Sequence, residues 1–210
     1  MARLLLLATS IAGALAQGTQ STTSAGITFQ TYDSGPNFKF GIALPETPGE
    51  DFIGHITAYD PDGLSWASVS LGYNAAENSH MKGPLLVVAW NHEGKAKAAF
   101  RQAKAYVNPD VYKGPMTFKE IPQGTSVNKT HIEYTFLCSK CITGDDITFK
   151  KTDTTAKMGF AYSTNGISGT ETAAAKLVYH GFGPQRRGPF TLNLTGAKSA
   201  KYSSWAEMAK

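Results

Sequence analysis

The chain is poor in cysteine, in charge and in long apolar runs, and each shortage narrows its function. Of its 210 residues only Cys138 and Cys141 are cysteines, which excludes a disulfide-dense scaffold and leaves no cysteine-rich zinc site. Charged residues make up 17% and the formal net charge is +4, too diffuse an excess for a nucleic-acid binder. No G-x-G-x-x-G follows a strand-like run, so the sequence contains no dinucleotide-binding fingerprint. Beyond the first 16 residues no stretch approaches the roughly 20 apolar residues of a membrane-spanning helix. Neither nucleic acid nor membrane is an expected partner.

The N-terminus, by contrast, is explicit. Arg3, the short apolar run Leu4 to Ala14 and the small-residue signal Ala14-Leu15-Ala16 read as a secretory signal peptide over residues 1–16. The mature chain is expected to begin at Gln17 and to be extracellular. Residues 17–25 read as a polar, mobile leader and 26–210 as one domain, long enough to bury a sizeable core. In an oxidising compartment the even cysteine count predicts a disulfide closing a very small loop at a strand end. A thioredoxin-type redox pair would need a βαβ context that this pattern lacks.

The dominant period is two. Phe38, Phe40, Ile42 and Leu44 alternate with Lys39, Gly41 and Ala43, and Ile132, Tyr134, Phe136 and Cys138 with His131, Glu133 and Thr135. Met158, Phe160 and Tyr162 alternate with Gly159 and Ala161, and Phe190, Leu192 and Leu194 with Thr191 and Asn193. Such runs predict antiparallel strands with one face in the core and one towards water. Turn-forming clusters separate them, among them Asp60-Pro61-Asp62-Gly63 and Thr164-Asn165-Gly166. Many short strands so punctuated predict an all-β sandwich. Helix is expected only in short pieces, Ala96 to Lys104 and Ser203 to Lys210. Asn128-Lys129-Thr130 and Asn193-Leu194-Thr195 are glycosylation acceptors, at Asn128 and Asn193, that suit a secreted chain.

Two residues carry metal chemistry. Met81 lies in the polar stretch Asn78-Ser79-His80-Met81-Lys82-Gly83, an odd place for a core-filling side chain, and His180 stands between Tyr179 and Gly181. A thioether and a neutral imidazole together hold haem iron with no open position, a ligand set suited to electron transfer. Covalent c-type attachment is excluded, because Ile142 and not His follows Cys141. On residues alone a structural histidine and an idle methionine remain open readings.

From about Gly26 to Trp205 the chain resembles the cytochrome domain of fungal cellobiose dehydrogenases and related secreted haem proteins. The matching landmarks are Phe52-Ile53-Gly54, Met81 with Leu85-Leu86-Val87-Val88-Ala89-Trp90, Ala105-Tyr106-Val107-Asn108-Pro109 and Thr135-Phe136-Leu137-Cys138-Ser139-Lys140-Cys141. They continue with Met158-Gly159-Phe160-Ala161-Tyr162-Ser163, His180 with its following Gly and Phe residues, and Ser199-Ala200-Lys201-Tyr202. The resemblance implies an immunoglobulin-like β-sandwich, non-covalent haem b, axial ligands at Met81 and at His180 on a late strand, and a Cys138–Cys141 disulfide. It also points to Tyr106 as a hydrogen-bond donor to a haem propionate. His80 beside Met81 keeps a two-histidine site open. Arg186 and Arg187 could pair with propionates or simply decorate a solvated loop. Trp66 and Trp90 could line a haem pocket or fill the core.

The resemblance implies a one-electron carrier, fed by a flavin dehydrogenase domain or protein. Copper polysaccharide monooxygenases, ferric iron or quinones are the implied acceptors. Without a flavin-binding part the chain is not expected to oxidise a sugar by itself. It reads as a stand-alone cytochrome or as the cytochrome part of a longer product. Two alternatives stand beside it: a haem-free carbohydrate-binding sandwich, with Trp66, Trp90 and tyrosines as stacking platforms, and an adhesion module.

Overall fold

The computed structural model describes residues 18–169 and 172–210, so the expected signal peptide lies outside the described residues. In chain order the strands begin with β1 (Thr19–Thr22), β2 (Thr28–Asp33), β3 (Phe38–Pro45), β4 (Phe52–Tyr59) and β5 (Trp66–Ser70). There follow β6 (Leu85–His92), β7 (Lys95–Gln102), β8 (Asp110–Val111), β9 (Thr117–Glu120), β10 (Ser126–Val127) and β11 (His131–Ser139). The remainder are β12 (Thr155–Ser163), β13 (Ile167–Ser168), β14 (Lys176–Leu177), β15 (Arg187–Asn193) and β16 (Lys198–Ser199), before the short α-helix α1 (Tyr202–Ala206).

They form a sandwich. The first sheet has the order β1-β2-β3-β4-β11-β10, with β9 also paired to β11 and β16 running parallel to β3. The second has the order β15-β12-β5-β6-β7-β8, and β13 and β14 make a separate two-residue hairpin. Phe38, Phe40, Ile42 and Leu44 face Met158, Phe160, Phe190 and Leu192 in one buried cluster between the sheets. The period-two runs therefore mark the inner faces, since successive strand side chains point to opposite sides.

The outer faces are not simply wet, as the alternation predicts. On the first sheet Ile27, Phe29, Ala43 and Ile53 are covered by Tyr202 and Trp205 of α1. On the second, Trp66, Leu86, Val88 and Trp90 form a further buried cluster with Ala99, Ala103 and Ala175. β5 is buried along its whole length, which only a sheet covered on both sides achieves.

Three expectations are corrected. Ala96 to Lys104 is no helix: β7 occupies Lys95–Gln102 and pairs along its length with β6. Ala, Lys and Gln favour helix by intrinsic propensity, but the pairing between β6 and β8 overrides it. The polar leader is tied down, because Thr19–Thr22 pairs with Thr28–Thr31 as the edge of the first sheet. The C-terminal helix is one short piece, Tyr202–Ala206, and does not extend to Lys210. Its end is instead pinned by the Lys210 amide, which donates to the Glu120 carbonyl at 2.9 Å. The Cys138–Cys141 disulfide is present, with Cα atoms 5.7 Å apart.

Candidate functional site

A cleft of about 1010 Å³ opens on the outer face of the second sheet. Trp66, Ser68 and Ser70 of β5, Leu86 and Val88 of β6, and Gly159 and Ala161 of β12 line it. These residues alternate with Ala67, Val69, Val87, Met158 and Phe160 of the central core, so one set of strands serves both. Serine, glycine and alanine keep the surface low enough for a broad ligand. A Cβ on Gly159 would come within 2.6 Å of the His80 Cβ, so even one methyl group has no room there.

One wall is the connection between β5 and β6. Asn74 and Ser79 exchange backbone hydrogen bonds, and the buried Ser79 hydroxyl accepts from the amides of Met81 (3.0 Å) and Lys82 (2.9 Å). The Met81 backbone is thereby fixed, and its half-buried side chain packs against the cluster beneath the cleft. Tyr106, from the connection between β7 and β8, donates to Ser79 Oγ at 3.4 Å and lies under the Lys82 ammonium.

The facing wall runs from Leu177 to Gly183. His180 Nδ1 donates to the Gly181 carbonyl at 2.7 Å, since a carbonyl can only accept. That fixes the tautomer and leaves Nε2 with its lone pair, the arrangement metal-binding histidines adopt. Burial lowers the His180 pKa, opposed by the Gly181 bond and assisted by Arg187, which disfavours the charged ring. The ring meets Trp66 edge-on at 6.2 Å, and Trp66 Nε1 donates to the Val178 carbonyl at 3.0 Å. His180 lies in a loop after β14 and not on a strand; Gly181 and Gly183, with φ of 77° and 112°, take conformations open to glycine but costly within a strand.

The structure thus brings Met81, His180, Tyr106 and Arg187 to one cleft, and leaves others out. Arg187 is the only permanently charged side chain along it among the described residues and stacks on Phe182 at 5.0 Å, whereas Arg186 turns to Thr164 and the Tyr162 ring. Trp90 is buried below the cleft, opposite Trp66 in register, and does not line it. His80 lines it, but its ring packs on Tyr73 at 4.8 Å. Burial lowers its pKa, countered by a hydrogen bond to the Gly72 backbone, and its buried Nδ1 has no partner. Exposed Tyr106, Val107, Val178, Tyr179 and Phe182 frame the mouth, and nothing in their local sequence marks them as a group.

The donor set fits haem: a soft sulfur, a correctly protonated imidazole and a low apolar surface, with, among the described residues, one cation and no carboxylate along the cleft. Of the sequons, Asn128 is exposed while Asn193 is half-buried at the end of β15.

No curated protein sequence matches the chain. In structure it is similar to the cytochrome domain of Myriococcum thermophilum cellobiose dehydrogenase, with 28% identity over 92% of this chain and 96% of that one and a TM-score of 0.79. The cytochrome b domain of pyranose dehydrogenase from Coprinopsis cinerea shares the fold, with a TM-score of 0.74 at 21% identity over 91% of this chain and 95% of that one. The family model for the cytochrome domain of cellobiose dehydrogenase matches residues 21–204, and the chain belongs to that family.

Proposed function

We propose that the protein is a secreted electron carrier that holds haem b between Met81 and His180. The observation that carries this reading is the convergence, on one cleft, of two residues about a hundred positions apart in sequence. When bound, haem supplies an iron centre that exchanges one electron without bond-making at a substrate. His180 offers Nε2, held by its Nδ1 bond to Gly181, and Met81 offers sulfur from a loop pinned by Ser79. With Met81 and His180 both holding the group, the chain would leave no coordination position open to oxygen or substrate. Arg187 and Tyr106 both line the cleft, and they would pair with the two anionic propionates.

Family membership supports a flavin dehydrogenase as the electron donor. The acceptor is a copper polysaccharide monooxygenase, ferric iron or a quinone, reached at the cleft mouth framed by Tyr179 and Phe182. Secretion fits the N-terminal signal, and among the described residues no helix is long and apolar enough to cross a membrane. The haem-free sugar-binding reading loses support from its tryptophans, because Trp90 is buried below the cleft and Trp66, which lines it, is almost wholly buried.

The test is an absorption spectrum of haem-loaded protein, oxidised and then reduced with dithionite. Resolved low-spin α and β bands on reduction are expected. Met81→Ala should open a coordination position, shift the ferric spectrum towards high spin and lower the reduction potential. A colourless protein that takes up no added haem would overturn the reading, and an unchanged Met81→Ala spectrum would move the ligand to His80.

A further inference from the structure

Beneath the cleft, Arg101 of β7 is buried at 1% exposure, and no carboxylate among the described residues bonds to it. Its guanidinium spends its donors on two carbonyls: Nη1 on Pro109 O at 2.9 Å and Nη2 on Ala175 O. Nε has no partner, and burial lowers its pKa against the pull of Asp110. Burying a cation is costly, and an apolar residue of similar size would fill the position without that cost. What a hydrocarbon lacks is the rigid fork that reaches two backbone segments at once.

Those two segments are the walls of the cleft. Pro109 closes the connection that carries Tyr106, and Ala175 opens the stretch that leads through Leu177 and Val178 to His180. A second tie joins the same pair, because the Leu177 amide donates to Asn108 Oδ1 at 2.9 Å. Regular structure does little there, since the β13–β14 hairpin has only two paired positions per strand. We propose that Arg101 is the positioning residue of this site, clamping the His180 wall to the Tyr106 wall from below, with Asn108 as the outer half of the clamp. The inference rests on the haem reading for its purpose and on the contacts alone for its geometry.

The experiment compares wild type with Arg101→Lys, which keeps the charge and loses the fork, and Asn108→Ala, an exposed change that spares the buried positions. Amide exchange on the haem-free proteins is expected to quicken in residues 176–182 and to stay unchanged in β12. On haem titration both variants should bind about tenfold more weakly, the scale of loss typical when a residue behind a metal ligand is removed. They should also show a high-spin fraction that added imidazole converts to low spin. Equal haem affinity and spin state in wild type and both variants would overturn the proposal. So would exchange that quickens equally in β12, the mark of a general stability role. If wild type itself takes up no haem, the functional reading fails, while the exchange result still decides whether the clamp exists.

Discussion

His55 offers a quantitative test of the fold, independent of the cleft. It sits in β4 on the outer face of the first sheet, 7% exposed and stacked on Phe29 at 5.3 Å. The Thr135 hydroxyl donates to the Gly124 carbonyl, so it accepts from His55 Nδ1 (2.8 Å), while the Thr57 hydroxyl donates to Nε2 (3.1 Å). The neutral ring satisfies both nitrogens, and burial lowers the pKa from 6.5 to about 4. Between those values the unfolded chain binds more protons than the folded one, so stability rises with pH across the window. The contribution is complete above about 6.5, is lost as pH falls towards 4, and is flat below. A gap of about 2.5 units at about 1.4 kcal/mol each gives about 3 kcal/mol, or roughly 6–12 °C in Tm for a domain of this size. Thermal unfolding of wild type and His55→Asn, in the same haem state, should be followed from pH 7.5 to 4. Other groups titrate in both proteins, so the difference between the curves isolates His55. Wild type should lose that margin relative to the variant; parallel curves would refute the reasoning.

Other perturbations probe the remaining parts. Trp205→Ala removes the main anchor of α1 from the outer face of the first sheet and should cost about 3–5 kcal/mol, measured as a fall in the denaturant midpoint. Gly159→Val places side-chain atoms against His80 in the cleft and should weaken haem binding at least tenfold, a factor set here by about 1.4 kcal/mol of steric cost. Circular dichroism of that variant should still report the sandwich, and undiminished haem affinity would contradict the placement of the cleft.

Much of the sandwich was legible because large side chains alternate along β3, β11, β12 and β15 and point into one core. In β7 the same period is present, with Ala96, Ala98 and Phe100 towards the central core, but alanines are too small and lysines too helix-friendly to display it. The covering of both outer faces could not be read locally, since Trp205 packs with Ile27, Phe29, Ala43 and Ile53, each more than 140 residues earlier. Met81 and His180 were identified by chemistry and family likeness, and their meeting depends on tertiary structure. Arg101 carries no local signal at all: within Ala99-Phe100-Arg101-Gln102 it reads as one more surface cation.

The interleaving of core and cleft residues along β5, β6 and β12 has a cost in evolvability. Inserting one residue within β12 would exchange Gly159 and Ala161 with Met158, Phe160 and Tyr162, turning bulky aromatics into the cleft and emptying the interior. Such a lesion removes the binding surface and the scaffold together, so these strands can vary by substitution but not by length. The connections that bear Met81 and His180 are under no such restraint. Changes of length there can move Met81 and His180 relative to the cleft, while the strands beneath stay in step.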